Sequence, residues 1–373
     1  MPDDARAAEV RQKIDDVRRW LALSDLSGVV LRSQANFAWI TGGGRSHVSI
    51  GAEAGVASVV MTPDAAALIT TNIELARLLE EEVPGLPFEA LEYPWQDQEA
   101  SSKLIARFCA PSRCATDLPD GERSPIDDDF LELRRVLRPP EIARYRDLGW
   151  DAAACVGSAC RAAELGETEH EIAARVSAEC EKRDILTLVN LVAADERISK
   201  YRHPLPTGNR LRTTLLVALT GRRHGLHASL TRMVSFGRPD PDLVARHGAV
   251  TRVDARAILE SSPGTSLGDV MAREIEQYEV ENFAEEWRLH HQGGLTGYAG
   301  REIFATPGAP YTLKSDQALA WNPSITRVKS EDTILISKEG SEILTHDPSW
   351  PEQPVEMELG MVVRPSLLVR GEG

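Results

Sequence analysis

The segment Glu286-Trp287-Arg288-Leu289-His290-His291-Gln292-Gly293-Gly294-Leu295-Thr296-Gly297-Tyr298-Ala299-Gly300-Arg301-Glu302 sets the tightest limits on the chain around it. Glycines at this density let the backbone approach a neighbour closely or take φ > 0. Two adjacent histidines lead into them; a tyrosine, a fourth glycine and an Arg-Glu pair follow. Histidine exchanges protons near neutral pH, and arginine is a fixed cation suited to a carboxylate. In isolation a glycine-rich turn with surface polar residues would read the same way, so the partners of this stretch decide its role.

Those partners are spread over 373 residues, a length that suggests two domains at about 100–200 residues each. Residues 5–24 carry Val10, Ile14, Val17, Leu21 and Leu23 near one helical face. A strand over Ser27–Arg32 and an apolar patch, Asn36–Ile40, run into Gly42-Gly43-Gly44-Arg45. Ala57–Met61 and Ala66–Thr70 flank Thr62-Pro63-Asp64 as a hairpin, and Asn72-Ile73-Glu74 opens a helix to about Glu82. This alternation predicts an α/β domain over 1–136. Leu137-Arg138-Pro139-Pro140 is a break.

Beyond it, Glu141–Leu165 and Thr168–Arg183 read as a helix pair, the second opened by the capping box Thr168-Glu169-His170-Glu171. Thr187–Ala193, Thr213–Leu219 and Leu226–Val234 read as strands. A second helix pair follows, Asp240–Leu259 and Ser261–Val280, and then short strands at Gln317–Trp321, Thr333–Ser337 and Glu342–Thr345. Residues 137–373 are therefore predicted to be α+β, with paired helices and a mainly antiparallel curved sheet. No repeat of short period and no low-complexity tract is visible.

A net charge of −15 argues against nucleic acid or an anionic membrane as partner, because phosphate binding needs a basic face. The N-terminus lacks the apolar core of a secretory signal, and no window approaches the ~18 apolar residues of a membrane span. The cysteines, Cys109, Cys114, Cys155, Cys160 and Cys180, are odd in number and lack the CxxC spacing of zinc sites. Cys155 and Cys160 lie among alanines and read as buried free thiols. A cytoplasmic protein is expected.

Chemistry is next constrained by what is missing. The hairpin Leu215–Arg232 contains no Asp or Glu, which leaves a catalytic metal short of ligands. No Gly-x-Ser-x-Gly elbow, cysteine with a neighbouring His, or nucleotide-binding glycine pattern stands out, so no cofactor is expected. General acid–base catalysis fits better: His203 to move protons, Glu331 to orient or accept, and Arg301 to hold an anionic substrate.

These residues resemble a known pattern. Asn36–Gly44 and Asn72-Ile73-Glu74-Leu75-Ala76-Arg77 in the first domain, with several blocks in the second, resemble the creatinase, prolidase and aminopeptidase P family. The resemblance implies a creatinase-type N-terminal domain, 1–136, and a pita-bread domain, 137–373. In that fold two repeats of helices and strands enclose a central site, which a dimer commonly completes with the neighbour's N-terminal domain. The family's metallopeptidases hold two metal ions on two Asp, one His and two Glu. Ala218 (in Ala218-Leu219-Thr220) and Ser229 (in Ser229-Leu230-Thr231-Arg232) match the two Asp. His291 matches the His-x-x-Gly histidine, Asn322 before Pro323 matches the first Glu, and Glu331 the second. Three of five ligands are gone.

The resemblance supplies one precedent for hydrolysis without metal, creatinase. Its proton-shuttling His matches His203, its later Glu falls at Glu331, and its carboxylate-binding Arg falls at Arg301 in Gly300-Arg301-Glu302. Arg45 is the counterpart of a further Arg donated by the neighbouring subunit. Creatinase has a glutamate near the position of Ser229, so creatine itself is not expected as substrate. The catalytic set expected is His203, Glu331 and His291, with Arg301, Glu302, Arg45, Tyr298, His227 and Asn322 binding substrate and no metal. The glycines beside His291 are expected to keep the pocket open. The function implied is a metal-independent hydrolase or lyase acting on a C–N bond of a small carboxylate-bearing molecule, in a homodimer with neither nucleic acid nor membrane as partner. Two alternatives stay open: an inactive pita-bread pseudo-peptidase that binds peptide or protein, and an Xaa-Pro-type metallopeptidase with rearranged ligands.

Overall fold

The computed structural model describes residues 3–97 and 99–371. The chain divides into two compact units at the Val136/Leu137 junction. In the first, the helix Asp3–Leu23 buries Val10, Ile14, Val17 and Leu21 along one face. It also buries Lys13, whose ammonium donates to Glu9 Oε1 and to the Trp39 carbonyl, both at 2.7 Å. The strand Gly28–Ser33 lies inside a six-stranded mixed sheet, antiparallel to Ala54–Met61 and parallel to Cys114–Thr116. Ala54–Met61 and Ala66–Thr71 form the expected hairpin, with Met61 opposite Ala66. The apolar patch after Ser33 is a helix, Gln34–Ile40, capped by the Ser33 hydroxyl, which accepts from the Asn36 N–H. Cys109 and Cys114 are joined in a disulfide, whereas Cys155, Cys160 and Cys180 are free and buried.

The second unit repeats one pattern twice. Helices Pro139–Ala162 and Glu169–Glu181 precede the antiparallel strands Leu186–Ala194, Thr214–Arg223 and Leu226–Phe236. Helices Pro241–Glu260 and Leu267–Val280 precede Gly293–Thr296, Gln317–Trp321 and Asp332–Ser337, also antiparallel. Local chemistry starts the helices as expected. Thr168 and Glu171 cap each other reciprocally, a motif worth about 1 kcal/mol. Asp240 accepts from the Asp242 N–H, with Pro241 in the first turn. One cluster packs Leu216 and Met233 of the first repeat's strands against Val250 and Val253 of the helix Pro241–Glu260, and another gathers Ile258, Val270, Leu319 and Ile334 within the second repeat.

The two sheets meet where Thr231 of the strand Leu226–Phe236 forms a β-bridge with Glu331, its N–H donating to the Glu331 carbonyl at 3.1 Å, and where the Thr333 hydroxyl bonds the Ser229 backbone beside it. That seam fixes where side chains from both repeats converge. The C-terminal part adds a hairpin, Glu352–Met357 with Gly360–Pro365, and a strand, Leu368–Arg370, parallel to Leu226–Phe236. None of the three was anticipated from sequence. Among the described residues no helix is long and apolar enough to cross a membrane.

Candidate functional site

His203 stands on the segment between the strands Leu186–Ala194 and Thr214–Arg223, and buried Glu169 fastens that segment at both ends. Its carboxylate accepts from the Ala194 N–H at 2.9 Å, from the Thr207 N–H at 2.9 Å and hydroxyl at 2.8 Å, and from the Arg197 guanidinium. Burial alone would raise the Glu169 carboxyl, but Arg197 and the surrounding donors outweigh it and hold the group below the ordinary carboxylate range. Arg202, the neighbour of His203, donates to Ser324 Oγ at 3.1 Å and Thr326 Oγ1 at 3.0 Å and pairs with Glu286.

Glu286 opens the glycine-rich stretch, so this pair ties the His203 segment to the histidine pair. The stretch itself behaves differently from expectation. Gly293 and Gly294 have φ of 125° and 139°, and a Cβ on either would stand 2.2 Å from a carbonyl oxygen, of Ala320 and Ile303 respectively. They let three strands close up; they do not hold a pocket open. Gln292 then sets the histidines: its amide donates to the His290 carbonyl and accepts from Tyr278 Oη at 2.8 Å.

The seam between the sheets opens into a cavity of about 370 Å³. His203, His227, His291, Arg301, Asn322 and Glu331 line it, beside Ala218, Thr220 and Lys329. Glu331 is buried, and three groups surround it. Lys329 Nζ is 2.8 Å from Oε2, the Thr231 hydroxyl donates to the same oxygen at 2.6 Å, and Arg301 lies 3.9 Å from Oε1. Burial pushes its carboxyl up, but Lys329 and Arg301 pull it further down, so Glu331 is ionised at neutral pH.

His290 and His203 face each other with 2.9 Å between their Nε2 atoms. The other His290 nitrogen, Nδ1, is buried without a partner. All three imidazoles are held below the ordinary histidine value. Burial dominates in each case, and Lys329 adds repulsion; His290, the most enclosed, is pushed down to about 2. The neutral forms are therefore the resting forms at pH 7. Arg301 has a buried Nε without a protein partner, and so does the Asn322 Oδ1. One is an unused donor and the other an unused acceptor at the cavity.

Two residues assigned from sequence to substrate binding stand elsewhere. Tyr298 is buried, and its hydroxyl donates to Glu141 Oε1 at 2.6 Å, a bond that braces the start of the helix Pro139–Ala162. Glu302 is not among the cavity-lining residues. Arg45, expected to act on a neighbouring copy, binds Glu82 within the first unit through its backbone N–H at 2.8 Å and its guanidinium at 3.2 Å. Lys329, Thr231 and His290 were missed as contributors. Lys329 could have been found, since residues two apart in an extended segment share a face and Glu331 was already in view.

The donors at the seam do not fit a pair of divalent metals. Ala218 offers no donor atom, Ser229 Oγ is bonded to Thr220 Oγ1 at 2.9 Å, and Asn322 is neutral. The one carboxylate left, Glu331, already has a cation. Hard divalent ions need several oxygen ligands, and dinuclear sites need bridging carboxylates.

Residues 146–338, more than half of the chain, match the model of metallopeptidase family M24. An uncharacterized peptidase of Staphylococcus aureus (strain MW2) is 25% identical over 235 residues, covering 59% of this chain. The aligned stretch spans 65% of that relative, just under two thirds of its length. Among solved structures, an Xaa-Pro dipeptidase from Bacillus anthracis matches with a TM-score of 0.77 at 16% identity, over 97% of this chain and 100% of that one. The prolidase from Pyrococcus horikoshii OT3 matches with a TM-score of 0.77 at 18% identity, over 90% and 98%. These likenesses identify the fold as pita-bread, preceded by a smaller α/β domain.

Proposed function

This chain belongs to metallopeptidase family M24, and from that premise we propose that it hydrolyses a C–N bond in a small carboxylate-bearing molecule by acid–base chemistry, without the metal pair. The observation that carries the reading is the ion pair between Lys329 and Glu331. A side-chain ammonium stands on the carboxylate that the family resemblance assigns to metal, while Ala218, Ser229 and Asn322 replace the other acids.

In this reading Arg301 binds the substrate carboxylate with the donors it does not spend on protein. Asn322 Oδ1 accepts an N–H from the nitrogen end of the substrate. His203 is neutral at pH 7 and takes a proton from the attacking water as the water oxygen bonds to carbon. It returns that proton to the nitrogen as the C–N bond breaks, so the shuttle ends as it began. Glu331 stabilises the positive charge that His203 carries in between, and His291 lies beside it at the cavity. A lyase outcome, in which His203 removes a proton from carbon, uses the same groups. The reading includes a homodimer in which Arg45 of one copy completes the other's cavity; a monomer at assay concentration, by sedimentation velocity, would remove Arg45 from the scheme.

The test is a screen of guanidino, ureido and amide-bearing acids with exhaustively chelated protein, its metal content measured alongside. Turnover by metal-free protein supports the reading. Loss of turnover on chelation, recovered by added metal, overturns it in favour of a metallopeptidase with rearranged ligands. Peptide binding with no turnover of any compound favours the inactive pita-bread groove.

A further inference from the structure

His203, His290 and His291 reach one point from two separate segments, and one ring nitrogen from each lies within 4.8 Å of the others. His290 stacks on His291 with ring centroids 4.4 Å apart, and meets His203 edge-on at 4.8 Å. Tetrahedral zinc with Zn–N bonds of about 2.0–2.1 Å holds its nitrogens roughly 3.4 Å apart. The cluster can reach that spacing by small ring rotations, since its closest nitrogens are already 2.9 Å apart. Three neutral imidazoles with no carboxylate suit zinc, copper or nickel better than magnesium, calcium or manganese. A metal ion there would take the place of the contact between His203 Nε2 and His290 Nε2. His203 and His291 both line the cavity, which leaves a fourth position open to water or ligand.

We propose that these three histidines form a mononuclear site for Zn²⁺ or a similar borderline ion, and that filling it inhibits the enzyme by taking up the imidazole of His203. The site differs from the carboxylate-rich pair of the family: only His291 is common to both. The inhibitory half rests on the function proposed above; the binding half does not. Lys329 works against a second cation nearby, and its pairing with Glu331 limits that repulsion.

The experiment starts from metal-free full-length protein. Zn²⁺ binding is followed by calorimetry and elemental analysis, and Co²⁺ is used as a spectroscopic probe of tetrahedral nitrogen coordination. One ion per chain is expected, with affinity reduced at least about tenfold in His290→Ala and in His291→Ala. His170→Ala, an exposed position on the helix Glu169–Glu181, serves as the control and should bind as the parent does. Circular dichroism and the melting midpoint of each variant establish that it is folded, and His290→Asn provides a second, milder change. No stoichiometric binding, or equal binding by folded His290 and His291 variants, overturns the site. Stoichiometric binding that leaves turnover unchanged overturns the inhibitory half alone. Stoichiometric binding that turnover requires overturns both that half and the metal-free reaction, while the site itself stands.

Discussion

Lys329 and Glu331 form an ion pair of 2.8 Å in which both side chains are more than nine-tenths buried. Removing one partner of such a pair leaves an uncompensated buried charge, at about 3–5 kcal/mol. Lys329→Met is therefore expected to destabilise the protein by roughly that amount in a urea titration. The double variant Lys329→Met with Glu331→Gln removes both charges and should recover a large part of the loss. A double variant no more stable than Lys329→Met would show that the pair is not what the lysine is for.

Arg301 is expected to act on binding more than on the chemical step. Its guanidinium has spare donors at the cavity, and lysine cannot reproduce a planar, two-pronged contact with a carboxylate. Arg301→Lys should raise KM about 10–100-fold for a carboxylate substrate, the equivalent of one charge-assisted bond. The change in kcat should be small, and the matching amide of the substrate should show little difference between parent and variant. A fall in kcat with KM unchanged would move Arg301 from substrate holding to transition-state stabilisation.

What the sequence made legible was mostly local. Thr168-Glu169-His170-Glu171 and Asp240-Pro241 announce helix starts through bonds that span two or three residues. The same holds for the hairpin at Thr62-Pro63-Asp64. The C-terminal hairpin was hidden because Glu352–Met357 carries Pro354 between acidic residues, a composition that argues against a strand. Tyr298 looked available for substrate because its partner, Glu141, is 157 residues away. His203, Glu331 and Arg301 could be placed from the motifs that resemble the family. Lys329 is absent from those motifs, which say nothing about which side chain replaces a lost metal; only its spacing of two from Glu331 pointed to it.

Glu169 links pH to the position of His203. Its folded-state carboxyl is held below the ordinary value of about 4.3. A depressed carboxyl contributes stability that is fully present above the unfolded value and is lost as pH falls through the folded one. Acid unfolding of the parent should therefore steepen below about pH 4, and Glu169→Gln should flatten that limb. The amide cannot satisfy Arg197 and the donors of Ala194 and Thr207 together, so kcat should also fall at pH 7. An acid limb identical in parent and variant would remove Glu169 from this role.

Gly294 and Gly300 separate two uses of glycine in one stretch. A Cβ at Gly294 would lie 2.2 Å from the Ile303 carbonyl oxygen and 2.7 Å from the Ala305 nitrogen, at a φ of 139°. Gly294→Ala is expected to cost about 3 kcal/mol or more, from backbone strain and strand displacement together. At Gly300 the nearest atom to a Cβ would be His227 Cδ2 at 3.9 Å, an ordinary contact. Gly300→Ala should leave the melting midpoint within about a degree or two of the parent, while narrowing the cavity it lines. Comparable melting midpoints for the two variants would contradict this division.

Restoring the acids gives the sharpest test of what replaced the metals. Ala218→Asp, Ser229→Asp and Asn322→Glu together would return three carboxylates to the seam. With Lys329 in place, its ammonium still holds Glu331 Oε2, so one ligand of the set remains engaged. The triple variant is expected to bind Mn²⁺ or Co²⁺ weakly and with less than two ions per chain. Adding Lys329→Ser frees Glu331 and removes a positive charge a few ångströms from the site, and both changes favour divalent ions. The quadruple variant should therefore hold close to two ions by elemental analysis, and should melt higher with metal than without. Two tightly bound ions in the triple variant, with Lys329 intact, would show that the lysine does not stand in for metal, and the metal-free reaction proposed here would lose its main support.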